Sequence, residues 1–290
     1  MNKKGNYKYI TYPKFVFLCG KSYKDNYDYS NRGVVEKYFM SNTDNVFIVL
    51  SEKMWEDKFS ANIDLLTFEE FLAEVSDAII LFVESPGSYC ELGAFAYDNK
   101  LFSDKLMIII DEKYKTEKSF IMTGPTAKAR NNGAKVIYAK LEDVGLLSSA
   151  ELRYALNEKL QEFTAKKGTN KMVYTTSSEY VYLKSFIIEL LELIKILQPI
   201  SKDELIGIYK KLKGFTSFNF IKRDNTRFNR EIKYDYIIRL LDIVKLIELN
   251  GDIITMNNEQ KMQSFMFKNS PREIDRIRNK IICKKYRYKD

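Results

Sequence analysis

Histidine is absent from the 290 residues. That absence removes the Ser-His and Cys-His nucleophile pairs and every histidine-bearing metal site. Acid–base work is left to carboxylates, Tyr, Lys or Cys. Cysteine is scarce: Cys19, Cys90 and Cys283 are too few and too scattered for a disulfide framework or a zinc cluster. No apolar run approaches the roughly 18 residues that cross a bilayer. The N-terminus, MNKKGNYKYITYPK, is basic but lacks the apolar stretch of a secretory signal. The expectation is a chain in the reducing cytoplasm, with no membrane role.

What is present is the composition of a folded protein, 45% hydrophobic and 30% charged, long enough for two domains. Aromatics are abundant, with 20 Tyr and 19 Phe. The net charge of +8 is unevenly placed. Residues 201–290 hold 21 Lys and Arg against 12 Asp and Glu, a net of +9, and the remainder holds 26 against 27. A polyanion-binding module joined to a near-neutral one is the arrangement this predicts.

Short continuous apolar runs alternate with helical patterns through the first half. Phe15–Cys19, Val46–Leu50, Ala78–Val83, Leu106–Ile110 and the weaker Val136–Tyr138 read as buried strands. Thr67–Glu70 reads as a capping box opening one helix, Ser88–Lys100 as the helix after the third strand, and 149–163 as another. Five strands with interleaved helices predict an α/β, flavodoxin-like doubly wound parallel sheet over residues 1–165. A polar linker is expected at 166–178. Residues 179–290 then read as a mainly α domain. It has a helix to Leu197, a second opened by the capping box Ser201-Lys-Asp-Glu204, a third at Ile232–Ile243, and a hairpin signalled by Asn250-Gly251. Three helices and a hairpin are the winged-helix order. The tail from Pro271 reads as a basic helix.

The stretch Ser76–Tyr97, SDAIILFVESPGSYCELGAFAY, organises the chain. A buried strand ends at a tight turn, and the carboxyl end of a strand is where such sheets bind ligands. Glu91 lies just beyond. It reads either as the N3 partner of a capping Ser88 or as a catalytic carboxylate. Gly87 offers a ligand close backbone access, and Gly93 is a poor helix former. Gly20-Lys21-Ser22, after the first strand, reads as a loop for a phosphate or ribose, or as a plain turn. Arg32 opens the next helix and could meet a phosphate. Cys19 and Cys90 read as packing residues, and Asp77 as structural. Thr123–Thr126 and Asn131–Gly133 read as loops without an assigned role. In the basic half, Lys222, Arg223, Arg227, Arg230, Lys233 and Arg239 are candidates for nucleic-acid phosphates. Phe215, Phe218, Phe220 and Phe228 lie among them, either stacking on bases or filling a core. Tyr286 and Tyr288, in the basic tail, share that reading.

Ser85-Pro-Gly-Ser88-Tyr-Cys-Glu91-Leu-Gly93 resembles the signature of the nucleoside deoxyribosyltransferase family. The resemblance spans roughly residues 14–163. It implies a flavodoxin-like domain that cleaves N-glycosidic bonds, with Glu91 attacking or stabilising the anomeric carbon and Gly20, Lys21, Ser22, Arg32, Gly87 and Ser88 around the substrate. The family usually has an aspartate where this chain has Ser85. Glu84 is the nearest carboxylate to stand in for it, and hydrolysis or transfer to another acceptor is as open as base exchange. Joined to a basic winged helix, the domain is similar to the effectors encoded beside bacterial retron reverse transcriptases, which act against phage. That resemblance implies the reverse transcriptase and its RNA–DNA hybrid or single-stranded DNA as partners, and leaves room for a higher-order oligomer. It implies no cofactor, with NAD or another nucleotide as the substrate. The alternative is a non-enzymatic nucleic-acid-binding regulator whose α/β domain senses a nucleotide.

Overall fold

In the computed structural model the described residues are 12–21, 26–55, 63–97, 102, 104–141, 146–165, 180–228, 232–257 and 279. The chain divides into two compact units, one of them Pro13–Ala165.

That unit is built on five parallel strands: β1 (Lys14–Cys19), β2 (Val46–Val49), β3 (Ala78–Val83), β4 (Leu106–Asp111) and β5 (Lys135–Ala139). Their order across the sheet is β2-β1-β3-β4-β5. Register pairs Phe17 with both Val49 and Ile79, and Phe82 with Ile109. The all-apolar runs are explained by burial on both faces, because crossover helices cover each side. Strand order reverses between β1 and β3, and there the crevice at the carboxyl edge opens.

Alternation along β1 separates the two faces. Val16 and Leu18 join Val35 and Phe39 of α1 (Asn31–Asn42) and Leu152 and Leu156 of α6 (Ala150–Thr164) in one core. Phe17 points the other way, its ring 6.3 Å from Phe95 of α4 (Pro86–Tyr97). Cys19 follows Phe17 by two and shares that side. A short α2 (Ser51–Trp55) leads to α3 (Leu65–Val75), and Trp55 packs on Phe68 at 5.9 Å. The far end of α3 is anchored by buried Lys105, whose ammonium donates to the carbonyls of Ala73 (2.5 Å) and Ser76 (2.9 Å). Asp77 accepts from the amide of Phe15 at 2.9 Å and ties β3 to β1.

Two helix starts differ from expectation in the same way. The cap of α3 is Asp64, which accepts from the amide of Thr67 at 2.8 Å, so Thr67 lies inside the first turn. Helix α4 begins at Pro86, and Thr123–Thr126 lies in a helical stretch, a π-turn leading into α5 (Ala127–Asn131), rather than in a loop.

The second unit holds α7 (Leu183–Leu197), α8 (Lys202–Lys213) and α9 (Tyr234–Ile243). Ser201 caps α8 as the sequence predicts, accepting from the amide of Glu204. A three-stranded sheet has the order β7-β10-β9, from β7 (Ile200–Ser201), β9 (Ile247–Asn250) and β10 (Ile253–Met256). The β9–β10 turn is Gly251-Asp252, one residue later than Asn250-Gly251, with Gly251 at φ +60°. Strands β6 (Tyr180–Tyr182) and β8 (Asn219–Ile221) pair in parallel and have no counterpart in the sequence reading. The linker expected at 166–178 lies outside the described residues.

Candidate active site

Glu91 does not cap its helix. Ser85 does: its hydroxyl accepts from the amide of Ser88 at 3.3 Å, and Pro86 follows at the first helical position, where a missing N–H costs nothing. Ser88 completes a reciprocal box. Fully buried, its hydroxyl accepts from the amides of Glu84 and Ser85, both at 2.9 Å, and donates to the carbonyl of Ser85 at 2.8 Å. This hydroxyl is spent on the turn, so the expectation that Ser88 contacts substrate is replaced by a role in shaping the turn. Gly87 is exposed at its tip. Glu91, one turn further along α4, is released from capping and turned into the crevice.

There it meets a second carboxylate. Glu69, on α3, is buried, and its carboxyl lies within hydrogen-bonding reach of that of Glu91. Burial, then the proximity of Glu69, pushes Glu91 up to about 8; burial pushes Glu69 up to about 7, opposed by hydrogen bonds from Ser51 and Glu91. Two carboxyls this close cannot both ionise cheaply. The pair therefore holds about one proton near neutrality and titrates as a unit. One oxygen of Glu91, Oε2, is buried without a hydrogen-bond partner among the described residues.

Charge compensation comes from a neighbouring ion pair. Arg32, in the first turn of α1, is only 2% exposed, and its Nη2 lies 2.6 Å from Oε1 of Glu52 on α2. The guanidinium also sits 5.7 Å from the centre of the Tyr27 ring. Arg32 pulls the pKa of Glu91 down, and Glu52 raises it. The expectation that Arg32 reaches outward to a phosphate is thus corrected: it is buried and paired with Glu52. Cys19 lies within the same field, its thiol pushed well above its usual range by burial and by Glu91 and Glu69. A thiol so held is a packing residue, as the sequence predicts, whereas Cys90, expected to pack as well, is exposed. Gly33, next to Arg32, passes under Tyr27, and a Cβ there would stand 2.1 Å from the Tyr27 carbonyl oxygen.

Glu84 occupies a different place. It accepts from Asn31 Nδ2 at 2.6 Å and from the amide of Lys21 at 3.1 Å. Asn31 also donates to the carbonyl of Leu141 at 3.0 Å. Gly20, at φ +151°, lies so close that a Cβ would come within 3.0 Å of Glu84 Oε1. Burial raises the pKa of Glu84, opposed by Asn31 and the Lys21 amide. Glu84 thus ties β1, α1 and β3 together at the crevice rim, and the acid bonded to Glu91 is Glu69 instead. Lys21 is exposed beside it. Ser22 lies outside the described residues.

In the second unit, Lys222 and Arg223 sit at the tip of a turn closed by the amide of Lys222 donating to the carbonyl of Thr226. Arg223, Arg227, Lys233 and Arg239 are exposed and Lys222 is half-buried. Arg230 and the tail with Tyr286 and Tyr288 lie outside the described residues. Phe215, Phe220 and Phe228 are buried, and Phe218 packs 5.4 Å from Phe186 and 5.5 Å from Tyr209. These rings fill a core and are not a stacking surface for bases.

Sequence reasoning missed Glu69, Glu52 and Tyr27. The run Thr67-Phe-Glu-Glu-Phe-Leu carries one signal that could have found Glu69. Phe68, Glu69 and Leu72 share a helical stripe, so Glu69 lies on the apolar side and Glu70 at its margin.

The family model described as the STM3845 retron effector protein matches residues 28–249. Two Escherichia coli proteins are similar to the chain. The "Retron Ec86 putative ribosyltransferase/DNA-binding protein" is 27% identical over 290 residues, covering 97% of this chain and 88% of its own length. The "Retron Ec73 putative ribosyltransferase/DNA-binding protein" is 28% identical over 218 residues, 70% of this chain and 68% of its own.

Proposed function

Because the chain belongs to the STM3845 retron effector family, we propose that its first unit is a ribosyltransferase or N-glycosidase acting on NAD or another nucleotide, and that its second binds nucleic acid. The observation that carries the catalytic half is the pairing of buried Glu69 with half-buried Glu91 at the switch point, in the field of the Arg32–Glu52 ion pair. Cleavage of a ribosidic bond develops positive charge at the anomeric carbon. Glu91, ionised, stabilises that charge or bonds to C1′ as the C1′–N bond breaks and its electron pair leaves with the base. The pair's one proton rests mostly on Glu91, the weaker acid; in the microstate that reacts it has passed to Glu69, which gives it to a base that needs one. Water or an acceptor hydroxyl then attacks C1′, and its proton returns to Glu69. Nicotinamide leaves NAD neutral and needs no proton, so for NAD the pair acts through the charge on Glu91, with Glu69 ionised and taking the proton that the attacking water or hydroxyl loses.

The domain limits of this reading are 1–165 for the catalytic unit and 179–290 for the nucleic-acid unit. The order of α7, α8 and α9 with the β7-β10-β9 sheet supports a winged-helix reading of the latter. The names of the E. coli relatives, which join ribosyltransferase to DNA-binding, support the pairing of activities. In this reading the second unit docks a retron reverse transcriptase and its RNA–DNA product, holding the enzyme in check until infection by phage. Mass spectrometry of the nucleotide pool tests the catalytic half in cells making the retron with either the natural chain or Glu91→Gln. One nucleotide should fall and a free base rise on phage infection with the natural chain alone. Identical pools in both strains would overturn the assignment.

A further inference from the structure

Most of the outward charge of α9 cancels. Lys233 precedes the helix, and within it Asp235 and Arg239 are exposed and Asp242 is half-exposed. Asp235 and Asp242 lie four residues before and three after Arg239, both within one turn of it. A helix meant to lie in a duplex groove normally carries surplus positive charge there.

Residues 261–290, almost all outside the described residues, hold 10 Lys and Arg against 3 Asp and Glu; among the described residues a local surplus lies at Lys222, Arg223 and Arg227 against Asp224, a net of +2. Between α8 and α9 the chain makes a hairpin, β8 running out to Ile221 and returning to bridge it at Arg227. Its tip is rigid: Asn225 adopts φ +67°, and Asp224 accepts from the Thr226 amide at 2.9 Å and hydroxyl at 2.6 Å. The acid of the tip is thus occupied within the turn, while Arg223 and Arg227 are exposed. Strand β6 lies beside β8. Val181 is buried in the core, so alternation sends half-exposed Tyr180 and Tyr182 to the opposite face, about 6.6 Å apart along the strand. The guanidinium of Arg227 stacks 4.6 Å from the centre of the Tyr180 ring, and the Tyr182 hydroxyl donates to Asn225.

We infer that this β6–β8 face, rather than the outer face of α9, receives nucleic acid, and that what it receives is an unpaired strand; the inference rests on the nucleic-acid reading above. Aromatic rings two residues apart on one strand match the stretched spacing of successive unstacked bases, which stack on aromatic rings or guanidinium planes. Arg223 and Lys222 at the tip supply charge for the backbone. A helix reading a duplex groove would carry its cations along its own outer face instead.

The experiment is fluorescence anisotropy with the full chain, a labelled single-stranded 12-mer and the matching duplex. Circular dichroism confirms that each variant is folded. Arg223→Glu with Arg227→Glu should weaken single-strand binding about ten-fold or more, and Lys233→Glu with Arg239→Glu less than three-fold. Arg227→Lys keeps the charge but loses the planar stack. It should weaken single-strand binding several-fold while leaving the salt slope unchanged. If the natural chain binds neither probe at low salt, the nucleic-acid reading itself falls. Binding by the natural chain that survives the hairpin changes and is lost on changing Lys233 and Arg239 would overturn this inference alone. So would a preference for the duplex over the single strand.

Discussion

The carboxyls of Glu69 on α3 and Glu91 on α4 face each other at the β1–β3 switch point, and the pKa of each is pushed well above its ordinary value. Helix α3 brings one and the β3–α4 turn brings the other, so the pair exists only when both crossovers are packed on the sheet.

Replacing one member should retune the other. Glu69 raises the pKa of Glu91 by its charge and by their hydrogen bond. Glu69→Gln removes the charge, and Glu91 should then ionise at lower pH. The rising limb of the pH–rate profile, placed near 8 by the natural pair, should move acidward by about one unit or more. For NAD the maximal rate should fall less than ten-fold, since nicotinamide needs no proton. For a nucleotide whose base must be protonated it should fall about a hundred-fold. A pH profile on each substrate reads both effects.

The same pair should cost stability at alkaline pH. A carboxyl whose pKa is raised by folding binds its proton more tightly in the native state than in the unfolded chain. Its stabilising contribution is complete below the unfolded value of about 4.5 and is lost as pH rises through about 7 to 8. Glu91→Gln fixes the uncharged form. Its melting temperature should match the natural chain near pH 4.5 and exceed it at pH 8.5, by a margin on the order of 1–2 kcal/mol in unfolding free energy.

Arg32 should matter without touching substrate. Arg32→Met strips Glu52 of its partner and removes the cation that lowers the pKa of Glu91. Glu52 is partly exposed, so the expected loss is about 2 kcal/mol rather than the larger cost of a fully buried charge. Urea unfolding measures it. The rising limb of the pH profile should move alkaline, opposite to the shift from Glu69→Gln.

Ser88→Ala should loosen the turn. It leaves the amides of Glu84 and Ser85 without their shared acceptor, at a cost of about 1–3 kcal/mol. If Ser88 acts only by shaping the turn, Ser88→Ala should reduce kcat far less than Glu91→Gln while lowering the melting temperature by several degrees.

The sheet was legible because its strands are continuous apolar runs, which only a doubly covered parallel sheet requires. The motif singled out Glu91, which the structure sets beside Glu69. The capping pattern misled at two helices for one physical reason. Thr67 and Ser88 look like caps, but each sits in the first turn of a helix already capped three residues upstream, by Asp64 and by Ser85 before Pro86. Ser201, with Pro199 just before it, had no such competitor. Glu69 was missed because a glutamate on an amphipathic helix ordinarily faces water, and only the packing of α3 beside α4 buries it. The phenylalanines around Arg223 illustrate the converse: charge in the sequence suggested a stacking surface, while Phe186 and Tyr209 supplied the partners that turned those rings inward.

The most direct test is release of free base by the purified full chain supplied with NAD and a panel of nucleotides, comparing the natural chain with Glu91→Gln. The account predicts that one substrate is cleaved by the natural chain and that Glu91→Gln, folded and at least as stable, cleaves it about a thousand-fold more slowly or not at all. Cleavage by Glu91→Gln within a few-fold of the natural rate would contradict it.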